Sequence, residues 1–503
     1  MRAGACRDGA PSAGKPRAPW ARRLAPFADE LSRRVRGQAP HPAAGEAGVP
    51  MGEQQPPNFI VFLTDDHGHW AMGCAGNRDV RTPTLDHLAR TGIRFTHAFA
   101  PSSVCSSARA SLMTGLMPSQ HGIHDWLRED EPAVGERDWL AGQATLAQQL
   151  AAAGYRCMHV GKWHLGRSAR PATGFSDWFG VPQPQGGHSG SQRYSDGGAP
   201  IERAGFKTTA LTDEAVRLLR AHGPAGPFLL FVGYIGTHAP QQQPERLAES
   251  YREAALSPTW DEGSPLRGAV PPRERMSQYY AAVTHMDEGA GRILDTVEEL
   301  GLRGRTAIVY TSDHGTALGQ RGIWGKGNAT KPKNLFDHSI RVPLIWSYPD
   351  RFDGGRTISA FVTHCDLYRT LLDIAGVRTG AADDRVAGRS YLPLLEGAPA
   401  AGEDVYFGEY GPARCIRTRT HKLVRRYGRG TDELYDLVGD PEERRNLLED
   451  GDSAVATQLG ARLEAFFRHH EDLERSGLLF DPDSRGLGPE HLRTGSGADP
   501  VGW

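Results

Sequence analysis

Two short segments place acidic residues directly after apolar runs. IVFLTDDHG contains Asp65 and Asp66, AIVYTSDHG contains Asp313 and His314, and a glycine follows closely in both. Neighbouring carboxylates repel each other unless a cation neutralises them, so a hard divalent ion such as Ca²⁺ or Mg²⁺ is the simplest explanation. The alternative is a pair of helix N-caps, since Asp is common just before a helix. The matched position of the two segments favours the metal site.

A cysteine followed four positions later by an arginine lies in the small-residue run SSVCSSARASLMTG, residues 102–115. A helix that begins near Cys105 would place Cys105 and Arg109 on one face, with the positive helix end and its free amides directed at an anion. Taken alone, such a cysteine is more often a buried small apolar residue than a catalyst. This segment by itself leaves both interpretations open.

Further cations and imidazoles occur in glycine-flanked loops close to predicted strand ends. They are Lys162 and His164 in GKWHLG, His238 in GTHAP and Lys326 in WGKGN. This chemistry suits an oxyanion of high charge density. Because several loops share it, solvated surface lysines and satisfied core histidines are the weaker explanation.

The elements that must position these residues alternate along the chain. Continuous apolar runs such as NFIVFL predict strands covered on both faces, and helical patterns such as TLDHLART, TDEAVRLLRAHG and VTHMDEGAGRILDTVEEL separate them. The alternation predicts an α/β fold with a large, mostly parallel sheet and helices on both faces. Ligands of such sheets gather beyond the carboxyl ends of the strands, where the candidate residues are expected.

The chain divides into four predicted segments. Residues 1–57 are rich in Ala, Pro, Gly and Arg without apolar periodicity, which predicts a disordered N-terminal extension. Residues 58–395 form the catalytic α/β domain, and the shorter elements of residues 396–483 form a C-terminal α+β subdomain. Residues 484–503 are predicted to be a flexible, glycine-rich tail.

Composition limits the class of protein. The 503 residues include 39% hydrophobic residues, 58 basic and 60 acidic side chains, which is typical of a globular protein without a polyanion-binding surface. We therefore expect no nucleic-acid partner. Six scattered cysteines without a CxxC pair argue against a disulfide framework and a zinc knuckle. With neither an export signal nor a membrane-length apolar run, the expected location is cytoplasmic, without a membrane partner. The oligomeric state cannot be read from the sequence.

In combination, the motifs resemble the type I, formylglycine-dependent sulfatases of the alkaline phosphatase superfamily. The resemblance covers about residues 58–450 and is carried by PTLDHLARTGIRFTHAFA, ARASLMTG, GKWHLG, TSDHG, SIRVPLI and ELYDLVGDPEERRNL. It implies an alkaline phosphatase-like fold and a sulfuric ester hydrolase that acts on an aryl or carbohydrate sulfate ester.

The resemblance also implies roles for individual residues. Cys105 would be converted to formylglycine by a formylglycine-generating enzyme, and the hydrate of that aldehyde would attack sulfur. Ca²⁺, with Mg²⁺ or Mn²⁺ as alternatives, would be held with residue 105 by Asp65, Asp66, Asp313 and His314. Arg109 and Lys162 would steady residue 105. Contacts to the sulfate group would come from Lys162, His164, His238 and Lys326, with His238 as general acid for the leaving alcohol.

The sequence departs from the family pattern in three places. The spacing between Lys326 and Arg341 is long, so Lys331 and Lys333 compete with Lys326, and the WGKGN context favours Lys326. Serine stands in the middle of Cys105-Ser106-Ser107-Ala108-Arg109, where the modification signature has proline or alanine. Asp313-His314 stands where many relatives have Asp-Asn, and because imidazole is a poorer Ca²⁺ ligand than oxygen, His314 could hydrogen-bond substrate instead.

Two other functions remain as alternatives at the sequence level. One is a phosphonate monoester or phosphodiester hydrolase of the same superfamily, which GKWHLG and THAP disfavour. The other is a non-catalytic binder of sulfated ligands, if Cys105 stays unmodified. The leaving group would be recognised by variable loops, where His124, Trp126 and His188 could face a sugar ring, although Trp126 could equally be packing.

Overall fold

The described part of the chain contains one large sheet, one small sheet and their helices. The computed structural model describes residues 55–183, 186–259, 270–378, 385–451, 453–481, 483 and 485–488. The predicted disordered extension and flexible tail lie outside the described residues, apart from 55–57 and 485–488. The proposed domain boundary after residue 395 stays a prediction.

The large sheet has ten strands. Their bounds are β1 Asn58–Thr64, β2 Ile93–Phe99, β3 Arg156–Gly161, β4 Asp177–Gly180, β5 Ser191–Asp196, β6 Ala199–Ala204, β7 Phe228–Gly233, β8 Thr306–Ser312, β11 Arg341–Ser347 and β12 Arg356–Thr363. A two-stranded ribbon consists of β9 Ala317–Leu318 and β10 Trp324–Gly325.

The strand order is β12-β2-β11-β8-β1-β7-β3-β4-β5-β6. The central strands β8, β1, β7, β3 and β4 are all parallel, while β11 runs antiparallel to both β2 and β8, and β5 and β6 form an antiparallel hairpin at one edge. The α/β prediction is confirmed, and the sheet is mixed because its margins carry antiparallel strands.

Twelve α-helices occur in the described residues. Their bounds are α1 Pro83–Thr91, α2 Cys105–Thr114, α3 Pro118–His121, α4 Pro132–Gly135, α5 Leu146–Ala152, α6 Lys207–His222, α7 Glu245–Arg252, α8 Pro272–Glu299, α9 Asp337–Ile340, α10 His364–Ile374, α11 Leu392–Leu395 and α12 Ala454–His470. Short 3-10 turns cover Gly73–Ala75, Gly223–Ala225, Gln320–Gly322, Gly327–Ala329, Leu447–Asp450, Leu473–Arg475 and Gly477–Leu479.

Helices cover both faces of the large sheet, as the continuous apolar runs predict. Along β1, Phe59 and Val61 face a core that includes residues of α2, α5 and α10. Ile60 and Phe62 alternate with them and face a second core that includes residues of α1, α6 and α8. Since successive side chains of a strand point to opposite faces, β1 must be apolar from Phe59 to Leu63 to serve both cores.

The C-terminal part forms a four-stranded antiparallel meander with one long helix. Its strands are β13 Tyr406–Tyr410, β14 Ala413–Arg417, β15 His421–Arg425 and β16 Glu433–Asp436, in sequence order. The helix α12 packs on this sheet through Leu459, Leu463 and Phe467. The predicted α+β texture of this region is therefore present.

Two further findings concern membranes and cysteines. None of the helices in the described ranges is both long enough and apolar enough to cross a membrane. The five cysteines that the structure describes, Cys74, Cys105, Cys157, Cys365 and Cys415, have free thiols.

Candidate active site

Neighbouring parallel strands bring the two acidic segments together. β1 and β8 pair in register from Asn58 opposite Thr306 to Thr64 opposite Ser312, so both chains leave the sheet at the same level. Asp313 N donates to the Thr64 carbonyl oxygen at 2.9 Å, which continues the pairing by one residue. Asp65 and Asp313 are fully buried at this edge.

The chain turns sharply at Asp66, whose φ of 57° lies in the left-handed region that Asp tolerates better than most residues. Tyr279 of α8 holds this turn, since its hydroxyl donates to the Asp66 carbonyl oxygen at 2.9 Å and accepts from Gly68 N at 2.9 Å. Because of this turn, the carboxylates of two consecutive residues point to the same place, and ligand atoms of Asp65 and Asp66 lie within 4.8 Å of each other.

Cys105 is the first residue of α2, which confirms the predicted helix start. Val104 precedes it in an extended conformation, Gly115 ends the helix with φ of 70°, and every residue of α2 is buried. Cys105 Sγ lies 3.2 Å from His314 Nε2 and 3.4 Å from Asp65 Oδ1. The helix therefore delivers the thiol into the acidic group between β1 and β8.

Arg109, one turn after Cys105, joins the acids to the next loop. Its Nε donates to Asp313 Oδ2 at 2.9 Å, and its NH1 donates to the Lys162 carbonyl oxygen at 3.0 Å. Lys162 follows β3 directly, and its Nζ donates to Asp65 Oδ2 at 2.5 Å. Both cations are buried, so the charges of Asp65 and Asp313 are compensated inside the protein.

Two glycines permit this close approach of loops. Gly161 ends β3 with φ of 117°, and a Cβ on it would lie 2.1 Å from the Gly233 carbonyl oxygen; a Cβ on Gly233 would lie 2.5 Å from the Lys162 carbonyl oxygen. A side chain at either position would push β3 and β7 apart and displace Lys162.

Lys326 completes the group around the thiol. Its Nζ lies 2.9 Å from Cys105 Sγ and 2.7 Å from Asp66 Oδ1. The competing lysines lie elsewhere: Lys333 Nζ donates to the buried Asp125 at 2.6 Å, and Lys331 forms an exposed ion pair with Asp483. Of the three lysines, the geometry thus places Lys326 next to Cys105.

The buried charges shift one another's protonation. Burial raises the pKa of Asp65, but nearby groups hold that pKa well below its ordinary value; they are Lys162, His238, Lys326 and Arg109. Burial and Asp65 raise the pKa of the Cys105 thiol, yet the two lysines bring it below its usual value. Burial lowers the pKa of Lys326, and the acids, with Asp66 foremost, raise it well above the ordinary value. The site therefore keeps Asp65 ionised and Lys326 protonated.

The donor set fits a divalent ion. Asp65, Asp66, Cys105 and His314 each offer a ligand atom, and all four atoms lie within 4.8 Å of one another. Carboxylate oxygens suit Ca²⁺, Mg²⁺ and Mn²⁺. Burial lowers the pKa of His314, but Asp313 raises it to about 9, so the ring must lose a proton to act as a ligand.

His164 and His238 form no hydrogen bond to this group in the described structure. Burial and Lys162 lower the pKa of His164 to about 3, so its ring is neutral. Its Nε2 donates to the Leu127 carbonyl oxygen at 3.0 Å, which leaves Nδ1 as an acceptor without a partner among the described residues. His238 is half-buried in the loop after β7, with Nδ1 2.7 Å from the Ala239 carbonyl oxygen.

The three candidate residues for a sugar ring have different surroundings. His124 is buried, with Nε2 2.6 Å from the Arg475 carbonyl oxygen. Trp126 packs against an apolar cluster that includes Tyr410, which agrees with the packing interpretation. His188 is buried, and neither of its ring nitrogens has a hydrogen-bond partner in the described part of the chain.

Sequence reasoning missed one residue that holds the site and one buried acid that pairs with Lys333. Thr237 donates a hydrogen bond from Oγ1 to the Asp65 carbonyl oxygen, and its place directly before His238 in GTHAP was the available signal. Asp125 binds Lys333 and also accepts a hydrogen bond from the Tyr410 hydroxyl at 2.6 Å. No local pattern could reveal that pairing, since the partners are more than 200 residues apart in sequence.

Comparisons with known proteins agree with this geometry. The family model for sulfatases matches residues 57–377, and the model for the C-terminal region of N-sulphoglucosamine sulphohydrolase matches residues 330–469. Among curated relatives, the N-acetylglucosamine-6-O-sulfatase of Bacteroides thetaiotaomicron is 26% identical, over 86% of this chain and 90% of its own length. The ulvan-active sulfatase of Formosa agariphila is 28% identical, over 79% of this chain and 78% of its own.

Solved structures show the same fold. A protein in complex with its substrate D-glucosamine-2-N,6-O-disulfate superposes with a TM-score of 0.67 at 25% identity, covering 83% of this chain and 98% of its own. The phosphonate monoester hydrolase of Agrobacterium radiobacter superposes with a TM-score of 0.66 at 22% identity, covering 82% and 96%. The second likeness concerns the fold alone.

Proposed function

Because the chain belongs to the sulfatase family, within the alkaline phosphatase-like superfamily, and is a sulfatase, we propose that it hydrolyses sulfate esters of carbohydrates with a formylglycine formed from Cys105 and a divalent ion. Two relatives support the substrate class: one is named for a sulfated amino sugar, and one is named for activity on ulvan.

One observation carries the proposal. Cys105 Sγ lies within 3.4 Å of an acid, an imidazole and an ammonium group, in a buried cluster at the carboxyl ends of β1 and β8. A structural cysteine would be surrounded by apolar side chains, as Cys157 is, where burial raises the pKa to about 12. The surroundings of Cys105 instead combine ion-binding acids with anion-binding cations.

The two groups that the family implies would supply specific chemistry. A hydrated aldehyde at residue 105 would offer two oxygens on one carbon, one to attack sulfur and one whose deprotonation would expel sulfate, and a divalent ion held by Asp65, Asp66, Asp313 and His314 would supply Lewis acidity. Cys105 Sγ already lies among these ligands, within 4.8 Å of the Asp65, Asp66 and His314 atoms.

The lysines would bind the sulfate group. Lys326 Nζ is 2.9 Å from Cys105 Sγ, and Lys162 Nζ is 2.5 Å from Asp65, so both ammonium groups flank the reacting position. Charge on the transferring sulfuryl group is stabilised best by fixed cations in a site shielded from water. Arg109 would act as a positioning residue, because its contacts are to Asp313 and the Lys162 carbonyl oxygen.

The histidines would have different roles. His164 is a neutral ring whose Nδ1 would accept a hydrogen bond from a hydroxyl group in the site rather than contact an anion, since a pKa of about 3 makes it a poor base. His238 Nδ1 is hydrogen-bonded to the Ala239 carbonyl oxygen, so Nε2 is the atom that would protonate the leaving alcohol.

The phosphonate monoester hydrolase alternative is not favoured. Its support is the fold likeness at 22% identity, whereas the matched family model and the curated relatives quoted above are sulfatases. The binding-only alternative depends on Cys105 staying a free thiol. The cytoplasmic location and the formylglycine-generating enzyme as partner belong to the proposal and rest on sequence reasoning.

Two measurements test the proposal. Initial rates are compared for N-acetylglucosamine 6-sulfate, 4-nitrophenyl sulfate and a phenylphosphonate monoester at equal ion concentrations, and we expect sulfate esters to be hydrolysed with the highest kcat/KM. Mass spectrometry of the peptide that contains Cys105 should show aldehyde in place of thiol. A preference for the phosphonate would refute the proposed sulfatase activity. An active protein with only the free thiol would refute the proposed formylglycine at residue 105.

A further inference from the structure

His188 combines burial with unused hydrogen-bonding groups. Its side chain is 3% exposed, and neither Nδ1 nor Nε2 has a hydrogen-bond partner within the described residues. Buried polar groups in folded proteins are nearly always paired, so an exception calls for a functional explanation. By contrast, the similarly buried His285 pairs both nitrogens, with Gln243 Oε1 at 2.8 Å and Thr209 Oγ1 at 3.0 Å.

The loop that carries His188 is fixed to the loop that carries His238. His188 N donates to Gln242 Oε1 at 2.9 Å, and the His188 carbonyl oxygen accepts from Lys207 N at 2.9 Å. Gln242 follows His238 by four residues. Thr237, directly before His238, donates a hydrogen bond to the Asp65 carbonyl oxygen. Hydrogen bonds therefore connect the backbone at His188 to the metal-site edge of the sheet.

The charges around the ring make it neutral. Burial lowers the pKa of His188 to about 3, and the lowering is reinforced by Lys207, His238 and Lys162 against the single opposing charge of Asp65. A neutral imidazole offers one N–H donor and one lone-pair acceptor. That pair matches a hydroxyl group, which can donate and accept at once, and it does not match a sulfate group, which only accepts.

We propose that His188 recognises a free hydroxyl group of the leaving alcohol, which makes the enzyme selective for sulfate esters of polyhydroxylated sugars over aryl sulfates. The inference rests on the sulfatase activity proposed above and adds the residue that reads the sugar. Lys162 and Lys326 bind the sulfate group, and His188 binds a neighbouring hydroxyl. A site built to pair a hydroxyl discriminates strongly against substrates that lack it, because its own polar atoms are then left unpaired.

The test compares substrates with and without hydroxyl groups. His188→Phe keeps a planar ring and removes both nitrogens. For the faster of N-acetylglucosamine 6-sulfate and N-acetylgalactosamine 6-sulfate, we expect kcat/KM to fall about ten- to hundred-fold. For 4-nitrophenyl sulfate, we expect a change of less than about three-fold, since its leaving group has no hydroxyl to bind. His188→Gln, which retains a donor and an acceptor, should recover part of the sugar activity.

A matched control separates recognition from loop position. His285→Phe removes two satisfied nitrogens that hold the same loop through Gln243. It should lower the melting temperature without changing the ratio of sugar to aryl activity. If His285→Phe shifts that ratio as much as His188→Phe, the selectivity comes from the loop and the inference fails.

The remaining outcomes are also decisive. Equal losses on both substrate types, or no loss on the sugar, would overturn the role of His188. A wild-type protein that hydrolyses 4-nitrophenyl sulfate but neither sugar would overturn it while leaving the sulfatase activity intact, and a protein inactive on all three would defeat the proposed function itself. If His188→Phe does not fold, the wild-type protein is assayed instead on monodeoxy analogues of the sugar substrate. The inference is refuted if none of these analogues is hydrolysed at least tenfold more slowly than the parent sugar.

Discussion

Replacing Cys105 by serine separates attack on sulfur from release of sulfate. The Cys105 side chain is 2% exposed, and Sγ has an ammonium, an imidazole and a carboxylate within 3.4 Å. A serine hydroxyl would meet the same three groups, so the variant should bind the ion and substrate as the parent does. It lacks the second oxygen that an aldehyde hydrate carries on the same carbon.

The size of each effect follows from this geometry. Since serine is slightly smaller than cysteine and keeps polar partners, the free energy of unfolding should change by about 1 kcal/mol at most. The hydroxyl can attack sulfur once, which gives a sulfated serine with no elimination route. Alcohol release should therefore stop at about one equivalent per active site, and steady turnover should lie on the order of 10³-fold or more below the parent.

Rapid-quench kinetics and mass spectrometry form the assay. The first measures a burst of alcohol from 4-nitrophenyl sulfate at high enzyme concentration, and the second identifies a sulfate adduct on the serine of Cys105→Ser. Differential scanning calorimetry checks that the fold is retained. Sustained turnover near the parent rate, with contaminating sulfatase removed, would refute the assignment of Cys105 as the catalytic aldehyde.

Three further predictions concern the ion, a buried ion pair and a buried acid. Exhaustive chelation should abolish turnover and lower the melting temperature together, because an ion at a hundred times its Kd stabilises the fold by about 2.7 kcal/mol. Asp66→Asn should lose activity similarly and respond less to chelator; full activity in an analytically metal-free sample would contradict the metal site. Lys333→Met and Asp125→Asn should each destabilise by about 3–5 kcal/mol in urea unfolding, and the double variant by less than the sum, since one partner alone leaves a buried charge unpaired; additive losses would contradict this. Burial raises the pKa of Asp287 to about 7, so the stability linked to its proton is fully present below about pH 4 and is lost as pH rises through 7. Asp287→Asn should therefore gain up to about 4 kcal/mol relative to the parent between pH 4 and pH 8, and a difference that does not change with pH would refute it.

The central sheet was predictable because burial on both faces leaves a direct mark in the sequence. Each strand contains a continuous apolar run, Phe59 to Leu63 in β1 and Ala307 to Tyr310 in β8, and the acids follow directly after the strands. The direction of β11 was not predictable, since an apolar run such as RVPLIWS has no polarity of its own. The hairpin of β5 and β6 was not predictable either, because its strands are mostly polar and exposed and leave no apolar run to recognise.

In the candidate site, too, some features could be predicted from the sequence and others could not. Residue types and strand-end positions selected Asp65 and Lys326, and the family resemblance was needed to select Cys105; the structure places all three in one cluster. The partners of these residues depend on the register of distant segments: Arg109 and Asp313 are 204 positions apart. Such pairings are set by the packed sheet, so local patterns predict which residues do chemistry and leave open which residues hold them.

One set of charges serves two purposes under the proposed function. Lys162 Nζ lies 2.5 Å from Asp65 and Lys326 Nζ lies 2.7 Å from Asp66, although both lysines are proposed to bind sulfate. A carboxylate oxygen that ligates a divalent ion receives its compensating charge from that ion and no longer needs the ammonium group. Ion binding would then release two buried cations toward the substrate anion, and because cations cannot stay buried without a counter-charge, sulfate would take the place that the acids gave up. Without the ion, Asp65 and Asp66 would keep Lys162 and Lys326 paired and away from the sulfate group. Loss of the ion should therefore weaken substrate binding as well as reduce reactivity.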